Sequence, residues 1–176
     1  ASLVQKINEE RQGHIVTLED PIEFVHPHNN CIVNQREIGT DCIEYSEGLK
    51  HLLRQDPDYC VIGEMRDLET IETALKLAET GHLVFATLHT NSAVQTINRI
   101  VSIFAPEQQE RIRVLLSFTL QAVLSQRLVT MTNGKRTLVA EFLLLNQGIR
   151  NLIREGKLHQ VQNLMEVGQE KSGMNT

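Results

Sequence analysis

Through about residue 104 the chain alternates between two hydrophobic rhythms. Short apolar runs rich in β-branched residues read as buried strands, and runs with apolar positions three and four apart read as amphipathic helices. Leu3, Val4 and Ile7 set a helix over residues 2–11, with Gly13 as its expected C-terminal cap. His14–Leu18 follows as a strand, Pro21 ends regular structure, and Phe24–Asn30 reads as a turn region. Cys31–Ile38 alternates in part and reads as a short strand. Tyr45, Leu49, Leu52 and Leu53 give a helix over Tyr45–Gln55, broken by Asp56-Pro57-Asp58. Tyr59–Ile62 is a strand. Leu68–Thr80 is a helix with Ile71, Ala74, Leu75 and Ala78 on one face and Gly81 closing it. Leu83–Leu88 is a strand, and Ala93–Phe104 a helix with Val94, Ile97, Ile100, Val101 and Phe104 inward. Such alternation points to a parallel sheet.

Beyond residue 104 the rhythm changes. Pro106 suits the first turn of a long helix, expected to run to about Arg127. Leu128–Thr132 and Thr137–Leu145 flank Asn133-Gly134, a hairpin signal. Gln147 to about Val167 reads as helical, and the polar residues after it are expected to fray. The fold expected is therefore α/β: a mostly parallel sheet, then a helical C-terminal subregion with a β-hairpin. The expected organisation is a core over residues 1–145 and a helical segment over 146–176. The first helical pattern has neither a Met start nor a capping sequence ahead of it, so the chain is expected to be a piece of a longer protein.

Composition narrows the function classes. A length of 176 residues is enough for a domain with a real core. With no Trp, the core must be filled by Leu, Ile and Val. A formal net charge of -5 argues against a general nucleic-acid surface. Cys31, Cys42 and Cys60 form no Cys-x-x-Cys pair, which speaks against a disulfide framework or a zinc site and suits a reducing cytoplasm. No apolar run reaches the roughly 20 residues that span a bilayer, so contact with a membrane is expected to be indirect.

Three strand-like runs end in polar groups. Ile15–Leu18 runs into Glu19-Asp20-Pro21-Ile22-Glu23, Tyr59–Ile62 into Gly63-Glu64-Met65-Arg66-Asp67, and Leu83–Leu88 into His89-Thr90. Open α/β sheets bind ligands beyond the carboxyl ends of their strands, so the three ends are expected to converge on one crevice. Glu64 suits magnesium held through water, or activation of an attacking water. Its plainer alternative is an acid favoured by a helix dipole. Glu19, Asp20 and Glu23 suit a divalent metal or a polarised water, or else form a solvated acidic turn. His89 is better placed than His82 to touch a phosphate. His82 lies at the other end of the strand and has a structural alternative; on one continuous strand the two would face opposite sides. Arg36, Arg54, Arg66 and Arg99 are candidates for phosphate neutralisation or inter-subunit contact, with surface ion pairs as the ordinary alternative. His26 and His28, flanking Pro27, are expected in solvent. The phosphate loop Gly-x-x-x-x-Gly-Lys-Ser/Thr is absent from these residues.

These motifs resemble one family. Thr17–Glu23 is similar to the Asp box of the secretion ATPases that power type II secretion and type IV pili, Val61–Asp67 to their Walker B segment, and Thr80–Thr90 to their His box. Gly148-Ile149-Arg150-Asn151-Leu152-Ile153-Arg154-Glu155 resembles the Ala-Ile-Arg-Asn-Leu-Ile-Arg-Glu signature of the pilus-retraction branch, the PilT group, departing at Gly148. The resemblance covers about Val4 to Val167. It implies an incomplete RecA-like core from a hexameric motor that hydrolyses ATP with magnesium to drive pilus retraction and twitching motility. It implies Glu23 polarising the attacking water and Glu64 holding magnesium through water and sharing the base role. Glu19 and Asp20 shape the same acidic, metal-holding pocket. His89 senses the γ-phosphate, His82 joins its strand to the neighbouring subunit or site, and Arg66 lies behind the metal. Residues 148–155 serve retraction. It also implies a cytoplasmic protein peripheral to the inner membrane, engaging a pilus platform protein there. Family members carry the phosphate loop and a PAS-like domain ahead of the point where this chain starts, so weak nucleotide binding is expected here. Two alternatives stay open: a non-catalytic assembly module, and a secretion or pilus-extension motor. The second is disfavoured by residues 148–155 and by the lack of a four-cysteine zinc module.

Overall fold

The computed structural model describes residues 1–172 and Met174. It forms two compact units, divided between Leu88 and His89.

The first unit is a parallel sheet between helices. Helix α1 (Ser2–Glu10) leads into β1 (Gly13–Glu19), then β2 (Cys31–Glu37), α2 (Tyr45–Leu52), β3 (Tyr59–Ile62), α3 (Leu68–Glu79) and β4 (Leu83–Ala86). The spatial order is β2-β1-β3-β4, all parallel. β1 is bonded on both sides, which explains why Ile15, Val16, Thr17 and Leu18 are all buried. One face packs on α1, where Ile15, Cys31 and Val33 meet Val4 and Ile7. The other carries α2, which comes so close that a Cβ on Gly48 would lie 2.9 Å from Leu18 Cδ2.

Three expectations in this unit change. Gly13 is no helix cap: α1 ends at Glu10, Arg11 is already extended, and Gly13 opens β1 with φ +154°. A Cβ there would lie 2.7 Å from Asp58 Oδ2, the atom that accepts the His14 amide at 2.8 Å. β4 stops at Ala86 rather than Leu88, because Thr87 turns its hydroxyl onto the Gly63 carbonyl; strand alternation therefore does not reach His89. Of His26 and His28, both expected in solvent, only His28 is exposed. His26 is buried, its amide bonded to Gln35 Oε1 at 2.7 Å, and burial holds its imidazole below the usual range. His28 itself is exposed, but its Nδ1 accepts the Val33 amide at 3.0 Å, fixing the entry to β2. Buried Asn8 completes that entry by donating to the Pro27 carbonyl and accepting from the Cys31 amide.

The second unit holds α4 (Ala93–Ser102), α5 (Pro106–Thr119), the hairpin β5 (Ala122–Thr130) and β6 (Arg136–Leu144), α6 (Gln147–Arg154), a 3₁₀ turn (Leu158–Gln160) and α7 (Val161–Ser172). Its core is built on Ile97, Leu116, Leu143, Ile149, Ile153, Val161 and Met165. The helix expected to reach Arg127 ends at Thr119. Residues 122–127 are tolerable helix formers, but pairing from Ala122↔Leu144 to Thr130↔Arg136 outweighs that weak preference. The hairpin signal holds: Met131 and Lys135 close a three-residue loop in which Gly134 takes φ +78°. The C-terminal helix is also broken. Gly156, at φ +72°, ends α6 with its amide on the Ile153 carbonyl and that of Lys157 on Leu152, a Schellman closure. α7 continues to Ser172; Gly173, Asn175 and Thr176, where fraying was expected, lie outside the described residues.

Gly13→Ala is expected to lower unfolding free energy by about 1–3 kcal/mol, since alanine must carry a positive φ and displace Asp58; urea denaturation followed by far-ultraviolet dichroism measures it. Cys60 has no exposed surface, and burial pushes its thiol up to about 12. Thiol reagents at pH 8 should therefore modify Cys42 first and spare Cys60 until denaturant is added, as read by peptide mass spectrometry.

Candidate functional site

The strand order creates the site. From β1 the chain crosses to β2 on one side, then returns to place β3 on the other, so the connections diverge between β1 and β3. That is the switch point where open α/β sheets hold ligands. The register Leu18↔Ile62 brings Glu19 and Gly63 to the same height just beyond the paired strands. Gly63 donates its amide to the Leu18 carbonyl at 2.7 Å, and a Cβ there would lie 3.1 Å from that oxygen and from Glu19 Cα. The glycine before Glu64 is thus required by the close approach of two backbones.

Glu64 follows at a fixed place. Met65 donates its amide to the Thr87 carbonyl at 3.0 Å, and the Thr87 hydroxyl donates to Gly63. The Glu64 side chain is 16% exposed, and its Oε2 lies 2.6 Å from Arg66 Nη2. The same guanidinium reaches Asp20 Oδ2 at 3.9 Å. Glu64, Arg66 and Asp20 are therefore brought together, with Arg66 held more firmly protonated, first by its bond to Glu64. Asp20 and Arg66 border a crevice of about 480 Å³, lined also by Tyr45, Ser46 and Asp67 among others. Asp67 is fixed as the N-cap of α3, accepting the Thr70 amide at 2.8 Å.

The other carboxylates of the first turn go elsewhere. Glu19 points toward β2: its Oε1 accepts from the Thr17 hydroxyl at 2.7 Å and from Gln35 Nε2 at 3.0 Å. Glu23 is exposed on the loop after the cis Asp20-Pro21 bond, a loop tied down by the Ile22 amide on Glu37 Oε2 at 2.9 Å. Among the described residues, no three His, Cys, Asp or Glu side chains are grouped to hold a metal ion.

His82 closes the C-terminal end of α3. Its Nδ1 lies 3.0 Å from both the Leu77 carbonyl and the Thr80 hydroxyl. It therefore stands at the start of β4, about 13 Å along the strand from its carboxyl end. His89 begins the second unit and is exposed; its carbonyl accepts from Arg99 Nη1 at 3.2 Å. Arg36 borders a separate hollow of about 270 Å³ with Thr40, Cys42 and His51.

Two residues of the site escaped the sequence reading. Tyr45 looked like one more apolar helix position, yet its hydroxyl lies over Gly63, 3.0 Å from where a Cβ would be. Burial, then the Asp20 carboxylate, push its phenol up. Its place at the first turn of a helix beside Ser46 was the available signal. Thr87 sat inside an expected strand, and nothing in its local pattern marked it.

In the second unit, residues 148–155 separate by role. Asn146 caps α6 by accepting the Ile149 amide at 2.9 Å, and Ile149 and Ile153 are completely buried. Arg150 caps α5: its guanidinium donates to the carbonyls of Ser117 at 2.7 Å and Phe118 at 3.2 Å. Asn151 and Arg154 pair at 2.8 Å on the outer side, and Glu155 pairs with Lys157 at 2.8 Å.

Residues 1–174 match the family model described as type II/IV secretion system protein. The chain is 48% identical over 168 residues to the type IV pilus retractation ATPase PilT of Pseudomonas aeruginosa, covering 96% of this chain and 49% of that protein. It is 46% identical over 177 residues to the twitching motility protein of Neisseria gonorrhoeae, covering 100% of this chain and 47% of that one. The crystal structure of the pilus retraction motor PilT with bound ADP superposes with a TM-score of 0.90 at 55% identity, over 94% of this chain and 48% of that one. The chain thus spans about half the length of the relatives it matches. Its four parallel strands, flanking helices and hairpin are an incomplete RecA-like core, and the chain belongs to the type II/IV secretion system protein family.

Proposed function

We propose that the chain is the C-terminal portion of an ATP-hydrolysing motor subunit that drives type IV pilus retraction and twitching motility. The observation that carries this reading lies at the switch point between β1 and β3, where a largely sheltered Glu64 is paired with Arg66, which also reaches Asp20. Phosphoryl transfer to water needs positioning and charge stabilisation more than covalent chemistry. Glu64, fixed from its backbone by Gly63, Met65 and Thr87, is the group best placed to orient or activate a water. Glu23, on the exposed loop after Pro21, would polarise the same water. His89 would contact the γ-phosphate, and His82, engaged with α3, would keep β4 in place.

Hard oxygen donors suit magnesium, which keeps most of its waters and takes one or two carboxylates plus phosphate oxygens. Glu64 and Asp20 fit such water-mediated binding, with Glu19 behind them as a holder of β1 against β2. When bound, the ion supplies neutralisation of charge on the phosphates. The phosphate loop must come from outside these 176 residues, so the chain alone should bind nucleotide poorly. In the complete subunit, a homo-hexameric ring in the cytoplasm would work against a pilus platform protein of the inner membrane. Among the described residues no helix is long and apolar enough to cross a membrane, which fits attachment through a partner. The exposed side of α6, with Asn151 and Arg154, is the part of the retraction segment available to such partners.

The test is a version extended at its N-terminus to the length of the Pseudomonas relative, with titration calorimetry of magnesium-ATP and steady-state turnover. Extension should convert weak binding into saturable binding, and Glu64→Gln should cut kcat by about 100-fold or more with KM little changed. Equal turnover with and without the carboxylate would overturn the role of Glu64. For the retraction segment, Arg150→Ala should destabilise by about 1–3 kcal/mol by uncovering the end of α5, whereas Arg154→Ala should stay within about 0.5 kcal/mol. Thermal denaturation of both, beside a twitching assay, separates folding from partner contact.

A further inference from the structure

We infer that Arg127 and Glu141 of the β5–β6 hairpin are positioning residues for His89, clamping the loop from His89 to Ser92 onto the hairpin. The inference rests on the reading above, in which His89 meets the nucleotide.

Most of the bonds that shape this loop come from α4, the helix it leads into. The Thr90 and Thr96 hydroxyls lie 2.7 Å apart, the Asn91 amide donates to Gln95 Oε1 at 3.3 Å, and Ser92 Oγ accepts the Gln95 amide at 3.2 Å. Arg99, also on α4, takes the His89 carbonyl. Two further bonds arrive from distant sequence. Arg127 Nε donates to the Asn91 carbonyl at 2.7 Å, and Glu141 Oε1 accepts the Ala93 amide at 2.5 Å. In the hairpin register Glu141 faces Ser125 and Arg127 faces Val139, so the two charged residues are diagonal neighbours on one face. They grip the peptide groups on either side of Ser92.

The chemistry is strong for its size. Both bonds are charge-assisted, and the carboxylate also sits at a helix N-terminus, where negative charge is favoured. Neither is needed to start α4, since Ser92 already caps it. What they add is rigidity between a hairpin and a loop. Asn91 is two residues from His89, so a shift of the hairpin is delivered to the imidazole through about 7 Å of chain. A hairpin coupled this way would let load on the second unit alter how His89 meets a phosphate.

The first test uses the 176-residue chain itself. In Arg127→Ala and in Glu141→Gln, hydrogen exchange of the peptide over residues 89–93 should speed up about tenfold or more, while α6 and the interior of α5 keep their protection. Unchanged exchange at 89–93, or an equal rise throughout the unit, overturns the clamp. Arg127→Lys serves as a second variant should alanine unfold the hairpin, because it keeps the charge but not the directed Nε bond, and it should also speed exchange.

The second test uses the extended protein. Each variant should lower kcat about tenfold with KM within about twofold, and should add less than about twofold to the loss in a His89→Ala background. A full additional loss in that background overturns the positioning role and leaves the motor reading standing. No turnover by the unsubstituted extended protein overturns both.

Discussion

The arrangement depends on how closely β1 and β3 approach beyond their last paired residues. Gly63 gives its amide to Leu18, and the absence of a side chain at that position lets the two backbones meet. A parallel register then sets the strand ends at one height. The connections diverge there, and Asp20 and Arg66, which follow β1 and β3, border a crevice beyond the strand ends. Glu64, Arg66 and Asp20 share one network for this reason, although more than forty positions separate the first and last of them in the chain.

The second unit follows a different logic. Its core is apolar and ordinary, but its helix ends are finished by long-range polar contacts. Arg150 closes α5 from α6, and Glu141 reaches the start of α4 from β6. Terminal backbone groups of a helix have no partners within it; Ser92 and Asn146 serve those at the starts of α4 and α6, and Glu141 and Arg150, from later in the chain, serve others at the start of α4 and the end of α5. A segment read as a functional signature thereby carries much of the unit's architecture: of residues 148–155, Ile149, Arg150 and Ile153 face inward and only part of the rest is free to meet a partner.

Many of the elements were legible because their signals are local. Tyr59–Ile62 is a strand over the residues expected, and α3 and α4 start where Asp67 and Ser92 can cap them. The errors also share a cause. Gly13 looked like a helix cap because glycine often ends helices, but its positive φ serves a strand entry crowded by Asp58. Residues 120–127 looked helical because Leu, Gln, Ala and Arg allow it, and only the pairing with β6 decides otherwise. His26 looked exposed because nothing nearby in sequence reveals that Gln35 and Gln5 enclose it.

The amino-acid order by itself determined which elements exist and which chemical groups stand at the strand ends, because hydrophobic period, turn residues and caps act over a few positions. It also marked the family through motifs whose residues lie close together. Tertiary structure alone decided which of those groups meet. Glu64 joins Arg66 and Asp20, Glu19 turns to Gln35, and His82 settles on α3. Those choices rest on register, strand order and the direction of each side chain, and these are fixed only when distant segments pack and exclude water between them.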